Sequence, residues 1–247
     1  MSSPAGVLVV HGLTGSPQSL GGIPAVLAGA GFETSAPLLP GHGTSPEDLA
    51  AYGWNDWSAA VEAAYLDLGA RCRTVLACGL SMGGALAVAL ALRHPEVAGL
   101  ALVNPLVDPP APSFRDLLRE LLGSGHAFLP GIGGDVADGE AREDAYDRLP
   151  VAALLSMCEA LDDVAIRLGE ITCPVLILTS RHDGVVDTVS SDIVASAVAG
   201  PVERVWLERS RHVATLDVER DEVVRRIVQF GEVVCRSSGG AGGTEIR

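Results

Sequence analysis

The sequence lacks long apolar runs and is poor in basic residues. Its longest apolar stretches are only as long as a strand and are broken by Gly, Pro or charged residues, whereas a helix that crosses a bilayer needs roughly 20 apolar residues. Lysine is absent, and the 17 basic residues are outnumbered by 31 acidic ones, which gives a formal net charge of −14. Nucleic acids and anionic lipid surfaces attract basic proteins. We therefore expect no nucleic-acid partner and no insertion into a membrane.

A recognisable cysteine motif is also absent. The five cysteines are odd in number, and their spacing fits neither a zinc site nor a redox motif. Cys78 and Cys173 lie in or beside apolar segments, as small core residues do, and the N-terminus lacks the basic region of a secretory signal. These features predict a cytoplasmic protein. We expect no metal and no other cofactor, because His182 and Asp183 have no further ligands at a recognisable spacing.

Short apolar segments alternate with helical patterns along most of the chain. Hydrophobic residues make up 48% of the 247 residues, which is ample for a core. The segments typical of strands cover residues 6–10, 32–37, 74–78, 98–103, 174–179 and 202–207. The helical patterns cover residues 19–29, 54–70, 85–92, 189–199 and 219–234. Strands that alternate with helices form parallel sheets covered on both faces, so the sequence predicts an α/β fold with a mostly parallel central sheet and helices on both faces.

Residues 105–160 interrupt this alternation and contain no convincing strand. They follow the C-terminal end of a predicted strand, where open α/β sheets place their ligand crevice. We predict that they form a small helical cap inserted into a core of residues 1–104 and 161–236. The last residues, 237–247, are rich in Gly and Ser and predict a flexible tail.

One helical face of this segment is apolar. It carries Phe114, Leu117, Leu118, Leu121 and Leu122, which recur at the spacing of a single helical stripe. The stripe either lines an acyl pocket, with Phe114, Leu118 and Leu122 touching substrate, or only covers the core. A second helical pattern covers residues 151–161, and Gly131–Gly134 between the two patterns is typical of a loop.

The sequence Gly79-Leu80-Ser81-Met82-Gly83 has the form G-x-S-x-G. It stands between an apolar strand and a small-residue helical pattern. In such a strand–turn–helix the serine is held in a strained conformation with its hydroxyl exposed at the end of the sheet. The motif in this context predicts that Ser81 is a nucleophile.

A serine hydroxyl needs a general base, usually a histidine oriented by a carboxylate. Only His182 and His212 follow Ser81 at a sufficient distance in the chain. His212 comes after the last predicted strand, on a loop able to reach back over the sheet, and Asp183 comes one strand earlier. We assign His212 as the base and Asp183 as the acid, with Asp187 as the alternative acid and His182 as a loop neighbour.

Acyl transfer also needs hydrogen-bond donors for the developing oxyanion. The backbone N–H of Met82, directly after the nucleophile, is one candidate. The second is the backbone N–H of Leu13, in the turn after the first strand. His11 in the same turn is expected to bond loop backbone as a neutral imidazole rather than to transfer protons.

Three further carboxylates are interpreted as structural or solvated. Asp217 is expected at the start of the last helix, where a carboxylate suits the positive end of the helix dipole. Asp108 and Asp135 lie in the predicted cap and are expected at the solvated surface.

These motifs together resemble the α/β-hydrolase superfamily, and within it the small-cap carboxylesterases and bacterial monoacylglycerol lipases. The matching stretches are Val10–Pro17, Pro40–Thr44, Trp54–Trp57, Gly79–Gly84, Arg181–Val186 and Ser210–Asp217. They cover nearly the whole chain in family order. The resemblance implies the same roles for Ser81, Asp183, His212, Leu13 and Met82.

The resemblance implies a serine hydrolase that cleaves a small-molecule carboxylic ester through an acyl-enzyme, with short or medium acyl esters or monoacylglycerols as substrates. Thioester or C–C bond hydrolysis on the same triad stays open as an alternative. A non-catalytic binding protein would have a damaged triad, which this chain does not have. Arg211 departs from the Gly that usually precedes the base in this group, and it places a cation beside His212.

Overall fold

Six parallel strands form the central sheet of the computed structural model, which describes residues 4–239. In chain order the first elements are β1 (Ala5–Val10), α1 (Ile23–Gly29), β2 (Glu33–Ser35), α2 (Pro46–Leu49), α3 (Trp54–Arg71), β3 (Thr74–Leu80), α4 (Met82–Arg93), β4 (Leu100–Val103) and α5 (Pro112–Gly123). The later elements are β5 (Phe128–Pro130), β6 (Arg148–Pro150), α6 (Val151–Ile166), β7 (Val175–Ser180), α7 (Val189–Ala197), β8 (Val202–Leu207) and α8 (Arg220–Gly239). The order across the sheet is β2-β1-β3-β4-β7-β8.

The central strands are apolar along their whole length because both faces of the sheet are covered. Successive side chains of β3 show this. Val75 and Ala77 belong to a core shared with α3, α4, α6 and α7, whereas Leu76 and Cys78 belong to a core shared with α1 and α8. The predicted parallel sheet with helices on both faces is confirmed. The C-terminal ends of β3, β4 and β7 meet at one edge, where the segments that carry Ser81, Asn104 and Asp183 begin.

One predicted helix is divided. Over residues 19–29 the structure has a 3₁₀ turn, Pro17–Leu20, followed by α1. Gly21 between them has φ of +56°, and a Cβ there would lie 2.4 Å from the carbonyl oxygen of Thr215. The chain therefore turns tightly against another loop where a continuous helix was expected.

Residues 105–160 hold α5, the hairpin-like pair β5–β6 and most of α6. The expectation that this segment contains no strand was wrong, since β5 and β6 pair in antiparallel register. Each of these strands has three residues, one of them a proline, too short for a period-2 pattern to be visible. The expected boundary at residue 160 falls inside α6, which continues to Ile166 because Leu161 and Val164 still face the core.

The C-terminal helix α8 includes residues 237–239, which the sequence analysis assigned to a flexible tail. The rest of that tail, residues 240–247, lies outside the described residues. No helix within residues 4–239 combines the length and apolarity that crossing a bilayer requires.

Candidate active site

Ser81 lies at the turn between β3 and α4, with φ of +56° and ψ of −120°. A positive φ is strained for a residue other than glycine. The backbone N–H of Ser81 donates to the carbonyl oxygen of Val103 at 3.0 Å, which ties the turn to β4. The two flanking glycines explain why the turn can be so tight. A Cβ on Gly79 would lie 2.2 Å from the backbone of Gly83, and a Cβ on Gly83 would lie 2.2 Å from the carbonyl oxygen of Val10.

His212 and Asp183 form a buried pair above the same edge of the sheet. His212 Nδ1 and Asp183 Oδ2 are 2.8 Å apart, and the two side chains are 8% and 2% exposed. The other carboxylate oxygen, Oδ1, accepts the backbone N–H groups of Val185 and Val186, each at 2.8 Å. The carboxylate is thus fixed by its own loop. Because it engages Nδ1, the Nε2 atom of His212 is the one left for proton exchange.

The structure brings Asp183, and not Asp187, to His212. Asp187 accepts the backbone N–H of Val189 at 3.0 Å, at the start of α7. His182 is exposed on the surface of the loop. Ser81 and His212 both line one cavity, so the three residues assigned from the sequence come together at this edge.

Leu13 and Met82 line the same cavity. Met82 is the first residue of α4, so its N–H has no acceptor within the helix and lies at the positive end of the helix dipole. The turn after β1 comes close to the serine, since a Cβ on Gly12 would lie 3.4 Å from Ser81 Cβ. Both backbone segments therefore lie beside Ser81 in the cavity.

His11 is fully buried beneath this turn. Its Nε2 accepts the backbone N–H of Leu39 at 3.1 Å, and its Nδ1 lies 2.9 Å from the carbonyl oxygen of Gly12. Burial, with a smaller contribution from neighbouring His42, lowers the pKa of His11 to about 3. The ring therefore stays neutral and bonds loop backbone on both sides, which is the role expected from the sequence.

The cavity beside Ser81 has a volume of about 280 Å³ and a mostly apolar lining. The apolar residues around it include Leu106, Pro110, Phe114, Ile132, Leu149, Leu154, Met157, Cys158, Leu161, Val185 and Val186. Two acidic residues, Asp108 and Glu143, also line it. Asp108 is therefore a cavity residue and not the solvated surface residue expected from the sequence.

Some residues of the apolar stripe on α5 line the cavity, and others cover the core. Phe114 lines the cavity. Leu118 is completely buried in the core and Leu122 packs against that core, and neither is among the lining residues. Their expected contact with substrate is not what the structure shows. The turn of α5 nearest β4 faces the cavity, and the following turns face α6.

Two positions that hold the His212 loop were missed by the sequence analysis. Asn104, directly after β4, has φ of +44°. Its amide nitrogen donates to the carbonyl oxygen of His212 at 2.8 Å, and its amide oxygen accepts the backbone N–H of Ser180 at 2.7 Å. Ser180 Oγ donates to the carbonyl oxygen of Arg211 at 2.8 Å. An asparagine at the end of a buried strand is the only signal the sequence offers, because asparagine tolerates positive φ.

Asp135 and Asp217 also differ from expectation. Asp135 is not solvated, as its side chain is 16% exposed and its carboxylate accepts the backbone N–H groups of Gly184 and His212. Asp217 is fully buried and lies three residues before α8 begins. It accepts the N–H groups of Ala137, Asp138 and Arg211 as well as the next residue of its own loop. Because these bonds join segments far apart in sequence, a helix-dipole argument could not reveal them.

Comparison with known proteins agrees with this geometry. The family described as serine aminopeptidase, S33 (Hydrolase_4) matches residues 2–219. The chain belongs to this family of α/β-hydrolases. The thermostable monoacylglycerol lipase of Bacillus sp. (strain H-257) is 37% identical over 232 residues, 93% of this chain and 91% of the lipase. The carboxylesterase of Bacillus subtilis (strain 168) is 28% identical over 229 residues, 92% of each chain.

A solved structure described with LipS and LipT, two metagenome-derived lipolytic enzymes, is also similar. It is 37% identical, with a TM-score of 0.87 over 94% of this chain and 95% of its own. The monoacylglycerol lipase of Paleococcus ferrophilus, at 19% identity and a TM-score of 0.74 over 95% of this chain and 97% of its own, shares the fold. The chain is thus a lipase-like serine hydrolase. Within residues 4–239, no three His, Cys, Asp or Glu side chains are grouped to hold a metal ion.

Proposed function

We propose that this protein hydrolyses small carboxylic esters, either short or medium acyl esters or monoacylglycerols, through an acyl-enzyme on Ser81. The observation that carries the proposal is that Ser81 and the Asp183-bonded His212 open on the same mostly apolar cavity. An apolar cavity suits an acyl chain, and the serine–histidine–aspartate arrangement suits attack on its carbonyl carbon.

In the proposed reaction His212 Nε2 takes the proton from Ser81 Oγ as that oxygen attacks the acyl carbon. The oxyanion formed accepts hydrogen bonds from the backbone N–H groups of Leu13 and Met82. His212 then gives the proton to the leaving alcohol, and a water molecule activated by the same imidazole releases the acid. Asp183 holds the imidazole in the required orientation and stabilises its cationic form.

The carboxylate of Glu143 supports the proposal that the alcohol part of the ester substrate carries free hydroxyl groups. Its two oxygens already accept Ser19 Oγ–H at 2.9 Å and the backbone N–H of Gly134 at 2.7 Å. An ionised carboxylate has about four acceptor positions, so it can accept further hydrogen bonds from the cavity. A monoacylglycerol keeps two free hydroxyl groups that can donate to this carboxylate, whereas the alkyl group of a simple ester has none. This favours monoacylglycerols over alkyl esters of the same acid.

The first test is of the nucleophile. A fluorophosphonate should add once, on Ser81, and the Ser81→Ala variant should neither be labelled nor hydrolyse esters above background. Labelling or hydrolysis that survives this change would contradict the proposal.

The second test is of the substrate class. We would measure kcat/KM for a monoacylglycerol, the ethyl ester of the same acid, the matching thioester and an aminoacyl arylamide. The proposal expects the monoacylglycerol to be preferred, with the preference over the ethyl ester reduced in the Glu143→Gln variant. If kcat/KM were higher for the thioester or the arylamide than for both esters, the main activity would be thioester or amide hydrolysis and the proposal would be wrong.

We also propose that the protein works in a reducing compartment such as the cytoplasm. All five cysteines are free thiols in the structure, which supports this location.

A further inference from the structure

One carboxylate from the cap region joins the backbone of the proposed acid loop to that of the proposed base. Asp135 Oδ2 accepts the backbone N–H of Gly184 at 2.8 Å and the backbone N–H of His212 at 3.2 Å. Gly184 directly follows Asp183 in the chain. A single oxygen atom therefore holds together the two loops whose side chains must meet.

The same residue makes two further contacts with the His212 loop. Its second carboxylate oxygen lies 3.2 Å from a guanidinium nitrogen of Arg211, and its carbonyl oxygen accepts the N–H of Val213 at 3.1 Å. The side chain of Asp135 is 16% exposed, whereas that of Arg211 is 52% exposed. The ion pair is therefore partly solvated and weak, and the hydrogen bonds from the backbone N–H groups are the contacts that hold the two loops together.

Asp135 is itself held in place from the other side. The buried carboxylate of Asp217 accepts the N–H groups of Ala137 and Asp138, two and three residues beyond Asp135, and the N–H of Arg211. The two segments are thus joined from both sides. Asp135 accepts a backbone N–H of the His212 loop, and Asp217 of that loop accepts backbone N–H groups of the segment that follows Asp135. Such support from outside the reacting groups keeps them at the required distance.

We propose that Asp135 is a positioning residue of the hydrolase, which fixes the distance between the Asp183 loop and His212 through Gly184 and through the backbone of His212. It does not touch the substrate and takes no part in proton transfer. The inference rests on the proposed function, in which the Asp183–His212 bond orients the base. Its effect should appear in kcat, since small displacements of a catalytic group slow chemistry without weakening binding.

The test compares two changes of nearly the same shape. Asp135→Asn keeps one oxygen that can accept both N–H groups, whereas Asp135→Leu keeps none. Asp138→Leu is the matched control, because Asp138 lies in the same segment and pairs with Arg220 at 2.8 Å rather than with the triad loops. Activity on a small chromogenic ester, the rate of fluorophosphonate labelling of Ser81 and the melting temperature would be measured for all three.

We expect Asp135→Leu to lower kcat and the labelling rate about 100-fold with KM changed less than about twofold. In Asp135→Asn both rates should stay within about threefold of the wild-type values. The same is expected of Asp138→Leu. If the leucine variant does not fold, Asp135→Ala removes the same acceptors without added bulk and carries the same expectation.

The inference is overturned if Asp135→Leu matches Asp138→Leu in kcat, or if Asp135→Asn is as impaired as Asp135→Leu. The inference is also overturned if KM rises and the melting temperature falls while kcat stays unchanged, since that pattern indicates a purely structural role. Failure of the proposed function is seen separately, either as labelling or ester hydrolysis that survives in Ser81→Ala or as a higher kcat/KM for the thioester or the arylamide, and neither result depends on a change at Asp135.

Discussion

Two buried histidines should make the protein lose stability at a pH well above the range in which its carboxylates titrate. Burial lowers the pKa of His11 to about 3 and that of His42 to about 4, from 6.5 in an unfolded chain. The two rings are in edge contact, with centroids 4.9 Å apart. Each ring stays neutral in the folded protein while it takes up a proton in the unfolded chain. The free energy of unfolding should therefore fall as the pH falls below 6.5.

The size of the effect follows from these pKa values. Between pH 7.5 and 5.5 the unfolded chain gains nearly one proton per histidine, and the folded protein gains almost none at either ring. The linkage relation then gives a loss of about 1.4 kcal/mol per histidine, or about 3 kcal/mol for the two. His94 acts in the opposite sense, because hydrogen bonds to Glu62 and Glu96 outweigh its burial and raise its pKa.

Urea unfolding at both pH values, in the wild type and in His42→Gln, isolates one histidine. The glutamine keeps an N–H able to replace the bond from His42 Nδ1 to the carbonyl oxygen of Pro40, and the contribution of His94 cancels in the comparison. We expect the pH-dependent loss to be smaller by about 1.4 kcal/mol in the variant. Equal losses in the wild type and His42→Gln would refute the reasoning.

Three other expectations can be checked directly. Asp183→Asn should lower kcat on a chromogenic ester by about 10⁴-fold, while Asp187→Asn, at the start of α7, should cost far less; the reverse order would make Asp187 the acid. Phe114→Ala should lower the ratio of kcat/KM for longer acyl esters to that for shorter ones by about tenfold, as for two methylenes at about 0.8 kcal/mol each. Leu118→Ala should leave this ratio unchanged and lower the free energy of unfolding by about 2–5 kcal/mol. Gly69→Ala, in the last turn of α3 and with no atom of another element within 4 Å of the added Cβ, should raise the free energy of unfolding by about 0.5 kcal/mol; a loss on urea unfolding would contradict that.

The sheet and most of its helices could be predicted because their signals are local. A strand buried on both faces must be apolar throughout, and the run in β3 ends at a turn that only glycines permit. The pair β5–β6 gave no such signal, as it depends on contacts between residues about 20 positions apart. In α5 the period of the stripe was visible, but which turn faces a cavity is decided by where α6 packs. That explains why Phe114 reaches the cavity and Leu118 does not.

The site divides in the same way. Ser81, Asp183 and His212 each follow a strand end in a chain order that reflects how the sheet is wound, so sequence reasoning could place them. The residues that hold them bind backbone groups. Asn104 donates to the carbonyl oxygen of His212, and Asp135 accepts the backbone N–H of His212. Every residue other than proline carries these groups, so a partner leaves no trace in the sequence of the loop it binds. Only the folded chain shows that the backbone of His212 is held on both sides, and that one of these supports comes from the segment 105–160.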